Sequence, residues 1–398
     1  MQSTNDCIRT IKIDITSHLS DEDVSVIKDT IMDCTKVSEL FTRLGLEHRS
    51  VSYMTMHKYG YEVARGMCPH LNTALLQQSA KASLLNIKGW NQRNKKHKWE
   101  YKGAKHSASY PLNKLTLTRR GDQTTFSTNR NRIRIIHRIP EWFDRKYPEK
   151  TLQSGCISLK KRRVYLHLAY KIEPAVCNGT VIVGVDRGLY NFVATSKGLL
   201  VPTKHLHAVE RRYAHVKAEL QSKGTRSAKR RLKALSGKEK RFRQYFDHCV
   251  SKALSEDGDV RCYVLEDLNG LRSSDKGKKM NRWLHKWSTF RFQGFLEYKC
   301  ALKGVDVQYV NPKYTSQRCS MCGVIDKDAR DRNRYRCKKC GHTEHADINA
   351  SKNIRDRYLL SLEGKSGSIQ PAVCDGFNNP VAIPHPCDGG RWRTLILQ

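Results

Sequence analysis

Cys319, Cys322, Cys337 and Cys340 form two Cys-x2-Cys pairs separated by fourteen residues, with Gly323 and Gly341 directly behind them. A tight turn relaxed by glycine lets both thiolates of a pair reach one ion. Four thiolates in a tetrahedral array select Zn2+ over hard cations. A redox dithiol needs a single pair, so two matched pairs read as a structural zinc ribbon. Arg332, Arg334, Arg336, Lys338 and Lys339 decorate it. They suit a phosphate-facing surface, or a merely solvated one.

Three acids form the second constellation. Asp186 closes the apolar run VIVGVD, Glu266 closes VRCYVLE, and Asp347 stands in the first turn of a helical stretch just past the ribbon. An acid at the end of a buried strand is costly unless it is paired or metal-bound. Singly, each has an ordinary explanation. Asp347 is favoured there by the helix dipole, and the other two could cap strands or pair with arginine. Together, two acids on neighbouring strands and one on a packed helix can converge. Phosphodiesterase sites are built so, with carboxylates holding two Mg2+ about 3.5–4 Å apart. Asp267 is expected on the opposite strand face from Glu266.

The elements that must position these residues follow from periodicity. Residues 8–16 alternate as a strand. SDEDVSVIKDTIMDC opens a helical stretch at Ser20 that runs to about residue 94, and a basic loop follows. From 108 to 173, short β-branched and aromatic runs between turn signals predict a sheet or small barrel that the 8–16 strand joins. The helical block then becomes an insertion into a β domain. Asn178-Gly179 marks the next boundary. Beyond it come a buried strand ending at Asp186, a hairpin, and one or two basic helices over 207–255, broken near SKGT. A second strand (260–270), an aromatic helix, a third strand (305–310), the cysteines and a last helix complete the order, which suits a ribonuclease-H-like fold. Trp283, Trp287, Phe292 and Phe295 recur at helical spacing and read as core.

Of 398 residues, 73 are Lys or Arg and 38 are Asp or Glu, a formal net charge of +35. A body so charged repels itself unless a polyanion offsets it, which points to nucleic acid. The charge is spread along the chain rather than gathered on one amphipathic helix, which argues against an anionic membrane as the partner. No window approaches the ~18–20 apolar residues of a membrane span, and the first residues lack a signal-peptide pattern. Ten of the fourteen cysteines are scattered singly, as suits reduced thiols in a reducing compartment.

The motifs G-V-D186-R-G-L, V-L-E266-D-L, T-S-Q-R-C319-S-M-C322-G and H-A-D347-I-N-A-S-K-N-I resemble the three RuvC motifs and zinc ribbon of the TnpB family. These are transposon-encoded RNA-guided nucleases related to miniature type V CRISPR effectors. The resemblance covers about residues 180–358. Ser351 stands where alanine is common, and Arg187 sets a cation beside the first acid.

The resemblance implies a multidomain α+β chain. A β-barrel wedge domain (1–19 and 106–178) would carry a helical recognition insertion (20–105). A RuvC-like nuclease domain (179–312 and 344–362) would carry the zinc ribbon (313–343), and a flexible tail (363–398) would follow. It implies an Mg2+-dependent endodeoxyribonuclease using Asp186, Glu266 and Asp347. A structured guide RNA and target double-stranded DNA would be the partners in a prokaryotic, nucleoid-associated setting, with a monomer or dimer left open. Base pairing reads the target in such effectors, and the protein reads a short adjacent motif. Backbone contacts are expected from Arg211, Arg212, Lys229, Arg230, Arg231, Lys238, Lys240, Arg241 and Arg243. Gln77, Gln78 and Lys81 carry side chains suited to base edges; a polar helix surface explains them equally. The rival readings are a nucleic-acid-binding regulator with an idle metal site and a junction resolvase. A regulator would normally have lost an acid, and a resolvase would be shorter and less basic.

Overall fold

The computed structural model describes residues 7–94, 99–103, 106, 108–268 and 289–363, with the strand backbones 383–386 and 392–395. It is a mixed α/β, multidomain chain that divides into two units, Met1–Glu173 and Pro174–Gln398. Among the described residues no helix is long and apolar enough to cross a membrane.

In the first unit, strand β1 (Cys7–Asp14) pairs antiparallel with a strand far along the chain, from Asp14 opposite Tyr165 to Cys7 opposite Ile172. The strands β2 (Ser109–Leu112), β6 (Lys150–Lys160) and β7 (Arg163–Ile172) complete an antiparallel sheet of order β1-β7-β6-β2. A second meander joins β3 (Leu117–Arg120), β4 (Gln123–Ser127) and β5 (Arg132–Ile136). The expected barrel is therefore not closed: among the described residues β1 and β2 are free edges of one sheet, and β3–β5 form another. Gly155 on β6 gives a physical reason. A Cβ there would stand 2.6 Å from Leu117 Cδ2, so the bare backbone lets the meander stack on the first sheet instead of extending it. A short helix, α4 (Glu141–Lys146), links β5 to β6.

Between β1 and β2 lie α1 (Asp21–Glu47), α2 (Tyr53–Met67) and α3 (Thr73–Asn94), so the helices are an insertion into the sheet. Ser20 and Asp23 form a reciprocal capping box at the start of α1. The apolar stripes bury Ile27, Val37, Phe41, Met56, Leu75, Leu76 and Ile87 completely. Part of the basic loop near residue 95 lies outside the described residues.

The second unit is built on a five-stranded sheet. Its members are β8 (Val181–Asp186), β9 (Asn191–Thr195), β10 (Leu200–Pro202), β11 (Val260–Glu266) and β12 (Asp306–Val310), in the order β10-β9-β8-β11-β12. Strands β8, β11 and β12 are parallel, and β9 and β10 turn back as hairpins. Two long helices, α5 (Lys204–Lys223) and α6 (Arg226–Ser255), separate β10 from β11. The break falls at Gly224, with φ of 61°, and Thr225 caps α6.

Helices cover both sheet faces. On one, Val183, Val185, Tyr263 and Leu265 pack against Val250 and Leu254 of α6 and Phe292 and Leu296 of α7 (Thr289–Leu302). On the other, Cys262 and Val264 meet Ile354 of α8 (Ala346–Leu362). Phe292 is thus core as expected, whereas Phe295 stacks on His248 with ring centroids 3.8 Å apart. Trp283 and Trp287 lie outside the described residues. Between β12 and α8 stands a three-stranded ribbon of β13 (Arg330–Asp331), β14 (Arg334–Arg336) and β15 (Thr343–His345). Beyond Glu363 only the paired strands β16 (Ile383–Pro386) and β17 (Trp392–Leu395) are described, so the expected flexible tail lies otherwise outside the described residues.

Candidate active site and metal centre

Strand alternation decides which way the acids face. Val183 and Val185 point into the core against α6 and α7, so Gly184 and Asp186 face α8. Tyr263 and Leu265 likewise point inward, and Cys262, Val264 and Glu266 share the α8 side. The parallel register places Leu265 opposite Val185, so both acids stand at the same end of adjacent strands. Asp347, the second residue of α8, is 4% exposed above them. Helix α8 lies so close because Gly184 has no side chain: a Cβ there would sit 1.9 Å from Ser351 O.

Asp186 retains some exposed surface, yet its carboxylate is pushed up to about 8 by burial, then by the negative charge of Glu266 and Asp347. Arg330 opposes this only in part. Burial also raises Glu266, against the pull of the Thr315 hydroxyl and Arg187. A raised carboxylate beside two others marks a cluster short of positive charge. Asp347 is occupied on both oxygens. Oδ1 accepts from Arg330 Nη2 at 2.7 Å, and Oδ2 accepts from Asn191 Nδ2 at 2.8 Å. Thr315 Oγ1 donates to Glu266 Oε1 at 2.5 Å, and Arg187 Nη2 donates to the Glu266 carbonyl at 2.5 Å. Asp267 lies past the strand end and is exposed, its N–H bonded to Val310 O.

An all-oxygen donor set of this kind suits a hard divalent cation. Among the described residues, however, the four cysteines are the one group whose ligand atoms all lie within 4.8 Å of each other. The sulfurs of Cys319 and Cys340 are 3.7 Å apart, those of Cys322 and Cys337 3.5 Å. A tetrahedron with Zn–S of about 2.3 Å has edges of about 3.8 Å, so the residues fit zinc. Burial pushes the Cys337 thiol up, but the N–H groups of Cys340 and Lys339 outweigh it and bring it to about 7. Gly323 and Gly341 both adopt positive φ, 76° and 73°, as the turns behind the pairs require.

The basic residues divide. Arg211, Arg212, Lys229, Arg230, Arg231, Lys238, Lys240 and Arg241 are exposed along α5 and α6. Arg243 is not: its guanidinium is held by Glu210 at 2.8 Å and Glu239 at 2.8 Å, joining the two helices. Gln77 and Gln78 are half-buried on α3, and Lys81 is exposed with Nζ 5.2 Å from the Tyr53 ring centroid. Sequence reasoning missed Arg330, Asn191 and Thr315. Thr315 lay within the quoted T-S-Q-R-C run, whereas no local signal set Arg330 apart from the other ribbon arginines.

Fold and site together define a mixed α/β protein in which an acid cluster at the ends of parallel strands is joined through one helix to a four-cysteine ribbon. Residues 290–354 match the family model described as Cas12f1-like, TNB domain. A TnpB-like protein of Methanocaldococcus jannaschii is 25% identical over 252 residues, covering 59% of this chain and 90% of that protein. The CRISPR-associated endodeoxyribonuclease Cas12f1 of Sulfoacidibacillus thermotolerans is 29% identical over 220 residues, 49% of this chain and 50% of that one. A candidate RNA-guided DNA endonuclease of Escherichia coli K12, InsQ, is 28% identical over 194 residues, 44% and 48%. The chain is similar to TnpB-like and Cas12f proteins, and it spans about half the length of the latter two relatives.

Proposed function

We propose that this chain is an RNA-guided DNA endonuclease that cleaves phosphodiester bonds at Asp186, Glu266 and Asp347. The observation that carries this is the electrostatic interaction of Asp186 with the other two acids, two of the three standing at the ends of adjacent parallel strands and one on the helix packed across them. The sheet order, with its first three strands antiparallel neighbours and the next two parallel, supports a ribonuclease-H-like, RuvC-type domain. The names of the homologues support the substrate and the guide.

Mg2+ bound by these carboxylates would activate water and stabilise the leaving oxygen. The residues around them have their own tasks. Thr315 and Arg187 hold the end of β11, and so the direction of Glu266. Asn191 and Arg330 hold Asp347 and offset part of the charge. The exposed cations of α5 and α6 supply a sequence-blind surface for nucleic-acid backbone. Gln77, Gln78 and Lys81 are assigned to the adjacent motif, and the first unit serves as wedge and recognition domains.

The test is to express the chain with its native flanking DNA, purify it and sequence the bound RNA. A discrete structured RNA is expected; its absence would sink the guided reading. Asp186→Ala should abolish Mg2+-dependent cleavage and leave RNA binding within about twofold. Continued cutting by that variant would refute the assignment of the acid.

A further inference from the structure

Zinc ribbons are usually regarded as staples, but this one is built into the base of the acid site. The small ribbon core of Cys319, Ala329, Tyr335 and Cys337 includes Ala346, the first residue of α8 and the neighbour of Asp347. Ala346 N–H donates to Asn333 O at 2.7 Å, and His345, which caps the helix, is the last residue of β15. The helix N-terminus therefore rests on the ribbon sheet.

One and two helical turns further, two asparagines face the chain entering the first cysteine pair. Asn349 is fully buried: its Nδ2 donates to Arg318 O at 2.7 Å, and its Oδ1 accepts from Ser320 N at 2.9 Å. Asn353, 2% exposed, donates to Arg318 O at 2.7 Å and to Thr315 O at 2.9 Å. These bonds straddle Cys319. Thr315, 3% exposed, is the residue whose hydroxyl reaches Glu266. A buried side-chain amide that bonds backbone on both sides of a metal ligand fixes that segment in one place.

We propose that Thr315 and Asn353, together with Asn349, are positioning residues that tie the zinc ribbon to Glu266 and Asp347. Zinc occupancy then sets the affinity of the acid site for its divalent cation. The proposal rests on the nuclease reading of the acids. With zinc bound, residues 319–322 are anchored, the asparagines hold 315–320 against α8, and Thr315 aims the Glu266 carboxylate. Without zinc, Glu266 loses the aim of the Thr315 hydroxyl and Asp347 loses Arg330 and the footing of its helix, while Arg187 and Asn191 stay in place.

The test uses the full chain purified with its RNA and Mn2+ as a paramagnetic stand-in for Mg2+. The Mn2+ bound by the wild type and lost in Asp186→Ala is the acid-site signal. Thr315→Val should weaken that binding about tenfold or more, as loss of a support behind a metal ligand does, with one zinc per chain retained. Thr315→Ser, which keeps the hydroxyl, should stay within about twofold of wild type. Asn353→Ala should match Thr315→Val, and the double variant should be no weaker than the worse single one. Stripping zinc from the wild type should lower Mn2+ affinity at least tenfold, and zinc returned should restore it.

Unchanged Mn2+ affinity in Thr315→Val, or in the zinc-stripped chain, overturns the proposal, as does equal loss in Thr315→Ser. Should Asn353→Ala lose zinc, Thr315→Val decides, because it leaves the cysteines alone. The two readings fail differently. If the acids hold no metal, Asp186→Ala removes no Mn2+ signal; if only the relay is wrong, the signal is present and the relay variants leave it intact.

Discussion

Gly184→Ala adds one methyl group two residues before Asp186, and its consequence can be worked from distances. The new Cβ would stand 1.9 Å from Ser351 O and 2.7 Å from Arg355 N, both main-chain atoms of α8. Carbon–oxygen contacts settle at about 3.3 Å, so the helix must retreat by about 1.4 Å. Because α8 carries Asp347, the retreat widens the gap across the acid cluster. Overpacking of this sort costs about 1–3 kcal/mol of stability, and an ångström of misplacement costs about 10²-fold in rate. Single-turnover cleavage at saturating Mg2+, read beside thermal melting and zinc content, separates the two effects. Gly294→Ala is the control: it lies in α7 with nothing within 4 Å of its added Cβ. It should stabilise the chain by about 0.5–1 kcal/mol and cut normally. A Gly184→Ala chain that melts and cuts like the wild type would refute the close packing of α8 on β8.

The raised carboxylates give a pH signature. Folded, metal-free chain holds a proton on Asp186 up to about 8, where the unfolded chain releases it near 3.8. That stability is complete below the lower value and lost as pH rises towards the upper one. Melting temperature of the metal-free chain should therefore fall between pH 5 and 8, and Mg2+ binding should strengthen over the same range with proton release in calorimetry; a rising melting temperature would contradict this. Replacing Lys229, Arg230 and Arg231 together by Ala should flatten the salt dependence of RNA binding, by about 0.7–0.9 in log–log slope per lost phosphate contact; an unchanged slope would clear that face of the role. Arg243→Ala should instead leave RNA affinity unchanged and cost about 1.5–3 kcal/mol in denaturant unfolding, because Glu210 and Glu239 lose their shared cation.

What could be read from the chain was whatever local pattern encodes. The apolar runs ending in Asp186 and Glu266 announced buried strands, and the hairpin after Asp186 and the break at Gly224 followed from turn chemistry. Cysteine spacing alone defined the ribbon. The barrel was misjudged because closure depends on how two sheets meet, and that turns on Gly155 admitting Leu117, a contact between distant residues. Arg243 was misplaced among the surface cations for the same reason: its partners lie on another turn and another helix. Thr315, Asn191 and Arg330 were illegible because a supporting hydrogen bond leaves no spacing signature of its own.

The joining of α8 to the ribbon also orders the site in time. Asn191 grips Asp347 across 156 residues of chain, so the two strand-end acids leave the ribosome well before the third. Synthesis delivers β8, then β11, then the ribbon, and Asp347 last. A nascent chain thus carries two of the three carboxylates before the residue that completes the cluster has been made. The helix that delivers Asp347 follows directly on the ribbon and shares its core through Ala346, so the third acid has a packed support to settle on as soon as it is made.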